Sequence, residues 1–267
     1  MSKPKKKWGQ NFLRNAGAVD RIVAAVEPQP DELILEIGPG EGVLTEKLVA
    51  MGNELSAIEI DPELAETLRA KFGDIIVEAD ALETPLPTRP FRAVGNLPYN
   101  VGTPILRRIV ADPNFRRGVF MLQKEVADRL VAKAGDEAYG YLTLYVQLFA
   151  AARTLMTLEP GSFHPPPKVR SAVVVLDPAP KAFASDDLIA LISRSFGMRR
   201  KQLVNNLVGF RGIGRAYALE AMTAAGINEN ARAETMTLDD FHRLATFLVL
   251  PSHSASHKRV HDEEPAR

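Results

Sequence analysis

The chain has 267 residues, 46% hydrophobic and 25% charged, which suits one large globular domain plus a small one. It has no cysteine, so disulfides, thiolate zinc sites, iron–sulfur clusters and attack on a pyrimidine ring through a thiol are excluded. Its 33 basic and 33 acidic residues cancel, so a polyanionic partner must be met by local patches and not by a global field.

Four lysines, Lys3, Lys5, Lys6 and Lys7, open the chain. Without them 29 basic residues (33 − 4) face 33 acidic ones, so this arm carries an outsized share of positive charge. The arm lacks the apolar core of a signal peptide, and no apolar run nears the ~18 residues that span a bilayer. A cytoplasmic protein with no membrane partner is expected. Gly9-Gln10-Asn11-Phe12-Leu13 reads as a loop before a helix.

From Leu33 onward, short apolar runs alternate with amphipathic segments. Strands are predicted at 33–37, 55–60, 75–77, 91–95, 118–122 and 172–176. Helices are predicted at 41–51, 62–72, 103–110 and 125–134. Asp61 is placed to cap the second helix, with Pro62 at its first position. Residues 140–152 fit either a helix or a long strand. This alternation predicts an α/β fold with a mostly parallel sheet. Asp177-Pro-Ala-Pro ends the pattern, and the domain boundary is set near 178. Helices then follow at 186–198, 199–208, 216–225 and 238–250. Thr237, with Asp240 three residues on, resembles a capping box. Arg194, Arg199, Arg200 and Lys201 form a second basic cluster. Residues 252–267 are polar, lack a core-facing pattern and read as a disordered tail. Its His253, His257 and His261 would share one face only if the tail were helical, so no metal site is expected.

Glu36-Ile37-Gly38-Pro39-Gly40-Glu41-Gly42 joins the first strand of this series to its helix. In a dinucleotide site the glycines fall as GxGxxG. Here the third glycine comes one residue early, and the expected position is Val43. Glu36 and Glu41 flank the loop with negative charge, which is expected to repel a pyrophosphate. A cofactor with a positive centre and no phosphate, such as S-adenosylmethionine, fits better. Glu59 ends the second strand, placed to accept bonds from two ribose hydroxyls. Asp80, after the third, is placed to receive an adenine amino group, with Ala81 packing beside it.

Asn96-Leu97-Pro98-Tyr99 follows the fourth strand. The Asn96 amide oxygen and the Leu97 carbonyl can both accept hydrogen bonds. Pro98 fixes the backbone between them and Tyr99, whose ring offers a stacking face. An exocyclic adenine amine is a poor nucleophile because its lone pair is shared with the ring. Two acceptors on its N–H bonds can turn that lone pair toward an electrophile.

The order of these motifs resembles the adenine-dimethylating ribosomal RNA methyltransferases. The match runs through GQNFL, EIGPGEGVLT, IEID, Asp80-Ala81, NLPYNVGTPIL, QKEVADRLVA, YGYLTLYVQ, FHPPPKVRSAVV, RRKQLVNNL and Arg-Ala-Glu at 232–234, or about residues 7 to 250. The resemblance implies a Rossmann-like S-adenosylmethionine-dependent methyltransferase domain over 1–178. A helical RNA-binding domain is implied over 179–251. It assigns Gln10, Asn11, Leu13, Gly38, Gly40, Glu59, Ile60, Asp80, Ala81 and Asn96 to the cofactor. Asn96, Leu97, Pro98 and Tyr99 are assigned to catalysis. Tyr99 and Phe163 would sandwich the target base, and Lys168, Arg199, Arg200 and Lys201 would meet RNA. One branch of the family dimethylates two adjacent adenines in the 3′-terminal hairpin of small-subunit rRNA. The other modifies one large-subunit adenine and confers macrolide resistance. NLPYN with its Thr-Pro, and YGYLT, resemble the first branch; Met236-Thr237 departs mildly from the usual Leu-Ser. The implied partner is small-subunit rRNA or a pre-30S particle, not DNA, with the enzyme acting as a monomer. Two rival readings are a ribosome-assembly docking factor and an NAD-dependent oxidoreductase; the glycine spacing and the lack of a catalytic histidine argue against the latter.

Overall fold

A computed structural model describes residues 10–98, 101–198 and 200–248. The lysine arm, Tyr99, Arg199 and the three tail histidines lie outside the described residues.

Seven strands form one sheet. In chain order they are β2 (Leu33–Ile37), β3 (Leu55–Glu59), β4 (Ile76–Glu78), β5 (Phe91–Asn96), β6 (Phe115–Gln123), β7 (Ala150–Leu158) and β9 (Ser171–Pro178). Their spatial order is β4-β3-β2-β5-β6-β9-β7. The first five are parallel; β9 runs antiparallel to β6, and β7 antiparallel to β9. The chain leaves β2 toward β3 and later returns to its other side as β5. That reversal opens a crevice at the carboxyl ends of the strands, where ligands bind in sheets of this kind. Helices α1 (Ala16–Val26), α2 (Val43–Val49), α3 (Pro62–Phe72), α4 (Gly102–Val110), α5 (Lys124–Val131) and α6 (Tyr141–Phe149) complete the layers. The central strands are buried on both faces, which is why they read as unbroken apolar runs. Asp61 caps α3 by accepting the Glu63 N–H at 3.2 Å, as expected. Residues 140–152 resolve into both alternatives, the whole of α6 followed by the start of β7. No helix of the described residues is long and apolar enough to cross a membrane.

A second sheet has two strands, β1 (Phe12–Leu13) and β8 (Phe163–His164). They pair antiparallel, Phe12 opposite His164 and Leu13 opposite Phe163. This small ladder ties the N-terminal segment to the FHPPP segment.

The chain divides into two compact units after Ile189, not near 178. The boundary moves because the Ala179 and Lys181 N–H groups bond the Phe149 and Leu148 carbonyls. Ile189, in α7 (Asp186–Ser195), also packs against the core of the first unit. The described elements of the second unit are helical: the end of α7, then α8 (Leu203–Leu207), α9 (Arg215–Ala224) and α10 (Leu238–Phe247). Phe241 and Leu244 are fully buried there, and Thr237 and Asp240 form the expected capping box. The helix expected over 199–208 shrinks to α8. Asn206 bridges back to the Met198 backbone, and Arg194 donates to the Asn206 and Val208 carbonyls. Arg194 therefore serves the fold and leaves the basic cluster.

Candidate active site

Four strand ends converge on one cavity of about 720 Å³, counting its open mouth. Its walls are Ile37, Gly38 and Gly40 from the β2 loop, Ile58, Glu59 and Ile60 from β3, Ala79, Asp80 and Ala81 after β4, and Asn96, Leu97 and Pro98 at β5. Gln10, Asn11 and Phe12 form a further wall, and Val101 and Ile105 complete it. The structure thus brings together the predicted Gln10, Asn11, Gly38, Gly40, Glu59, Ile60, Asp80, Ala81, Asn96, Leu97 and Pro98.

Backbone geometry explains the glycines. Gly40 has φ +61°, a region that favours glycine, and a β-carbon there would meet the Phe12 ring at 3.1 Å. Gly95 lies opposite Ile37 in the β2–β5 ladder, and a β-carbon on it would collide with the Ile37 carbonyl. Its lack of a side chain lets β5 close on β2 and deliver Asn96 to the cavity.

Asn96 is held in one orientation. Its Nδ2 donates to the Asn11 carbonyl at 2.8 Å. A carbonyl only accepts, so the contact fixes the amide and turns Oδ1 the other way. The Leu97 N–H is tied to the Met121 carbonyl, and the Pro98 carbonyl accepts from Val101 and Gly102. Bonds on both sides therefore anchor the turn.

Glu59 is buried, and its carboxylate accepts the Gly40 N–H at one oxygen and the Asp61 N–H at the other, both at 3.0 Å. Burial raises its pKa, the Asp61 charge adds to this, and the backbone N–H bonds oppose it. Gln10 reaches over to Asp61 at 2.9 Å. Asp80 folds its own turn, accepting the Leu82 N–H at 2.8 Å.

The electrostatic reading of the glycine loop needs correction. Glu36 is fully buried, and its pKa is raised to about 8, mainly by burial and further by Glu59; a bond from Thr45 at 2.8 Å opposes this. It is therefore mostly neutral at pH 7 and does not repel a phosphate. Glu41 is paired with Arg14 at 2.5 Å. What disfavours a pyrophosphate is instead Glu59, which occupies the Gly40 N–H that a phosphate would need.

Comparison with known proteins identifies the architecture. The family model described as ribosomal RNA adenine dimethylase matches residues 1–249. The chain belongs to the ribosomal RNA adenine dimethylase family. A relative from Methylococcus capsulatus, ribosomal RNA small subunit methyltransferase A, is 44% identical over 250 residues, covering 89% of this chain and 95% of the relative. The protein of the same name from Hahella chejuensis is 38% identical, over 91% of this chain and 92% of the relative. Among solved structures, a dimethyladenosine transferase from Plasmodium falciparum superposes with a TM-score of 0.75 at 26% identity, covering 87% of this chain and 95% of that one. The 23S rRNA methyltransferase ErmE superposes with a TM-score of 0.68 at 27% identity, over 89% and 99%. The α/β unit has the Rossmann-like fold of S-adenosylmethionine-dependent methyltransferases, and the chain is an enzyme of that class acting on ribosomal RNA.

Two residues assigned by resemblance, Leu13 and Phe163, do not line this cavity. Leu13 is 3% exposed and faces a core cluster, not the cavity. Its neighbour Phe12 lines the cavity instead, because successive strand residues point opposite ways. Phe163 is 4% exposed and sits in the same cluster as Leu13, so its ring is not open to a base. Lys168 lies outside this cavity, in a groove with Asn11, Gln123, Pro166, Pro167 and Val169. Lys168, Arg200 and Lys201 are all exposed.

Two predictions arise here. Phe163→Ala is expected to destabilise the fold by about 3–5 kcal/mol and to lower the Tm by roughly 10 °C. It removes the core contact opposite Leu13, so the β1 wall loosens and cofactor binding weakens as well. Thermal melts and calorimetry check this; a variant that melts like wild type and loses only RNA methylation would restore the stacking role.

The second prediction concerns pH. Glu36 keeps its proton in the folded state above its ordinary pKa of 4.5, so folding is favoured most at low pH. That contribution declines as pH rises from 4.5 to about 8. Glu59 acts in the same direction. The Tm is expected to fall across this range, and Glu36→Gln is expected to flatten the slope. Identical slopes for the two proteins would contradict the assignment.

Proposed function

We propose that this protein dimethylates the 6-amino groups of two adjacent adenines in the 3′-terminal hairpin of small-subunit (16S) rRNA, with S-adenosylmethionine as donor. The single observation that carries the reading is the orientation of Asn96: with Nδ2 spent on Asn11, its Oδ1 is left to accept an N–H from a target amine. The relatives' names supply the small-subunit assignment. We place the enzyme in the cytoplasm, as a monomer acting on rRNA within a pre-30S particle and contributing to subunit assembly.

The cavity fits the donor. Glu59 is set for the ribose hydroxyls and Asp80 for the adenine amino group, with Ile60 and Ala81 against the ring. The Gly38–Gly42 backbone, free of β-carbons at the close approach, and the Gln10–Phe12 wall enclose the remainder. When bound there, the cofactor supplies an electrophilic methyl on a sulfonium. The protein's residues do the rest by positioning, which can lower the barrier by several kcal/mol. Asn96 Oδ1 and the Leu97 carbonyl accept the two N–H bonds of the adenine amine and turn its lone pair toward the methyl. Tyr99 stacks on the extruded base, a contact worth about 1–3 kcal/mol. Lys168, Arg199, Arg200 and Lys201 meet backbone phosphates.

Labelled methyl transfer onto unmethylated small and large subunits, with mapping of the modified nucleotides, tests this reading. Label on adjacent small-subunit adenines is expected. Label confined to the large subunit would overturn it.

A further inference from the structure

Two turns wall the cavity, Asn96–Pro98 at the end of β5 and Ala79–Ala81 after β4. One helix touches both. α4 begins directly behind the Asn96 turn, tied to it by the Gly102 N–H on the Pro98 carbonyl at 2.7 Å. Ile105, in its first turns, lines the cavity. Near its end, Arg108 Nη1 donates to the Ala81 carbonyl at 2.8 Å. The Asp80 turn is otherwise held by bonds to its own neighbours, from Leu82, Glu83 and Thr84, while Ala79 bonds Glu59. Arg108 therefore ties the turn to a separate, rigid element. The adjacent Arg107 points elsewhere, stacking over Tyr145 at 4.3 Å, so the two arginines have separable tasks.

We propose that Arg108 is a positioning residue for the cofactor. It fixes the Ala81 carbonyl, and so the seat of the adenine ring, against the helix that also carries the catalytic turn. This rests on the reading above that the cavity holds S-adenosylmethionine. A charged donor on a backbone carbonyl is among the stronger hydrogen bonds, and a half-buried one orders the loop that accepts it.

Calorimetry on the full chain with S-adenosylhomocysteine, and separately with adenosine, tests the proposal. Arg108→Met keeps most of the stem and removes the donor. It is expected to raise both dissociation constants by the same factor, about five- to tenfold. The cofactor KM should rise in step, with kcat at saturating cofactor within twofold. Arg108→Lys, which keeps a charged donor, is expected to stay within about threefold of wild type. Unchanged dissociation constants in Arg108→Met, equal losses in Met and Lys, or a loss for S-adenosylhomocysteine but not adenosine would each overturn the proposal. If Arg108→Met does not fold, Arg108→Leu, which also removes the donor, takes its place under the same criteria. Wild-type protein that fails to bind S-adenosylhomocysteine would instead sink the cavity reading itself.

Discussion

Asn96→Ala is expected to slow methyl transfer about a thousandfold while leaving cofactor affinity within about threefold. The substitution removes the Oδ1 acceptor at the place where the amine must be reoriented. That interaction strengthens only as the lone pair leaves the ring, so its loss falls on the rate and not on binding. The variant also removes the Nδ2 bond to the Asn11 carbonyl, but Asn11 directly precedes β1, which β8 pins. Asn96→Asp is the informative companion. It keeps acceptors and loses the Nδ2 donor, so its carboxylate faces the Asn11 carbonyl and swings away; it too should be slow. Single-turnover kinetics beside calorimetry separate the two quantities. Turnover within tenfold of wild type in Asn96→Ala would remove Asn96 from the chemistry.

Glu59→Ala is expected to weaken S-adenosylmethionine binding by about a hundredfold or more. Bonds to a charged acceptor are each worth about 1.5–3 kcal/mol, and the ribose offers two. A second loss adds to this one, since Glu59 also holds the Gly40 and Asp61 N–H groups that shape the loop. Glu59→Gln retains one acceptor and should fall between the two. Calorimetry that finds wild-type affinity in Glu59→Ala refutes the role.

The first unit was readable from sequence wherever a local rule sufficed. Central strands such as Leu33–Ile37 announced themselves by unbroken apolar runs, and Asp61 by its place before Pro62. β7 did not, because A-A-A-R-T-L-M-T-L lies at the sheet edge, half exposed, and becomes a strand through pairing with β9. The requirement for glycine at 95 comes from a carbonyl on another strand, which no local pattern reveals. Glu36 reads as a charge in sequence and is mostly neutral when buried. Of the cofactor residues carried over by resemblance, all but Leu13 line the cavity. The apolar lining from Phe12, Ile37, Ile58, Val101 and Ile105 went unnoticed because such residues look like any core. The alternation in Gln10–Leu13 was the available signal for Phe12, and the β1–β8 pairing was what decided it.

That pairing has a consequence for synthesis. Residues 12 and 13 leave the ribosome early, and their partners 163 and 164 follow only after the central sheet strands have emerged. At ordinary elongation rates the delay is roughly ten to thirty seconds. During that interval a nascent chain carries the glycine loop, Glu59, Asp80 and Asn96 without a secured front wall. The cavity is thus finished near the end of translation of the first unit.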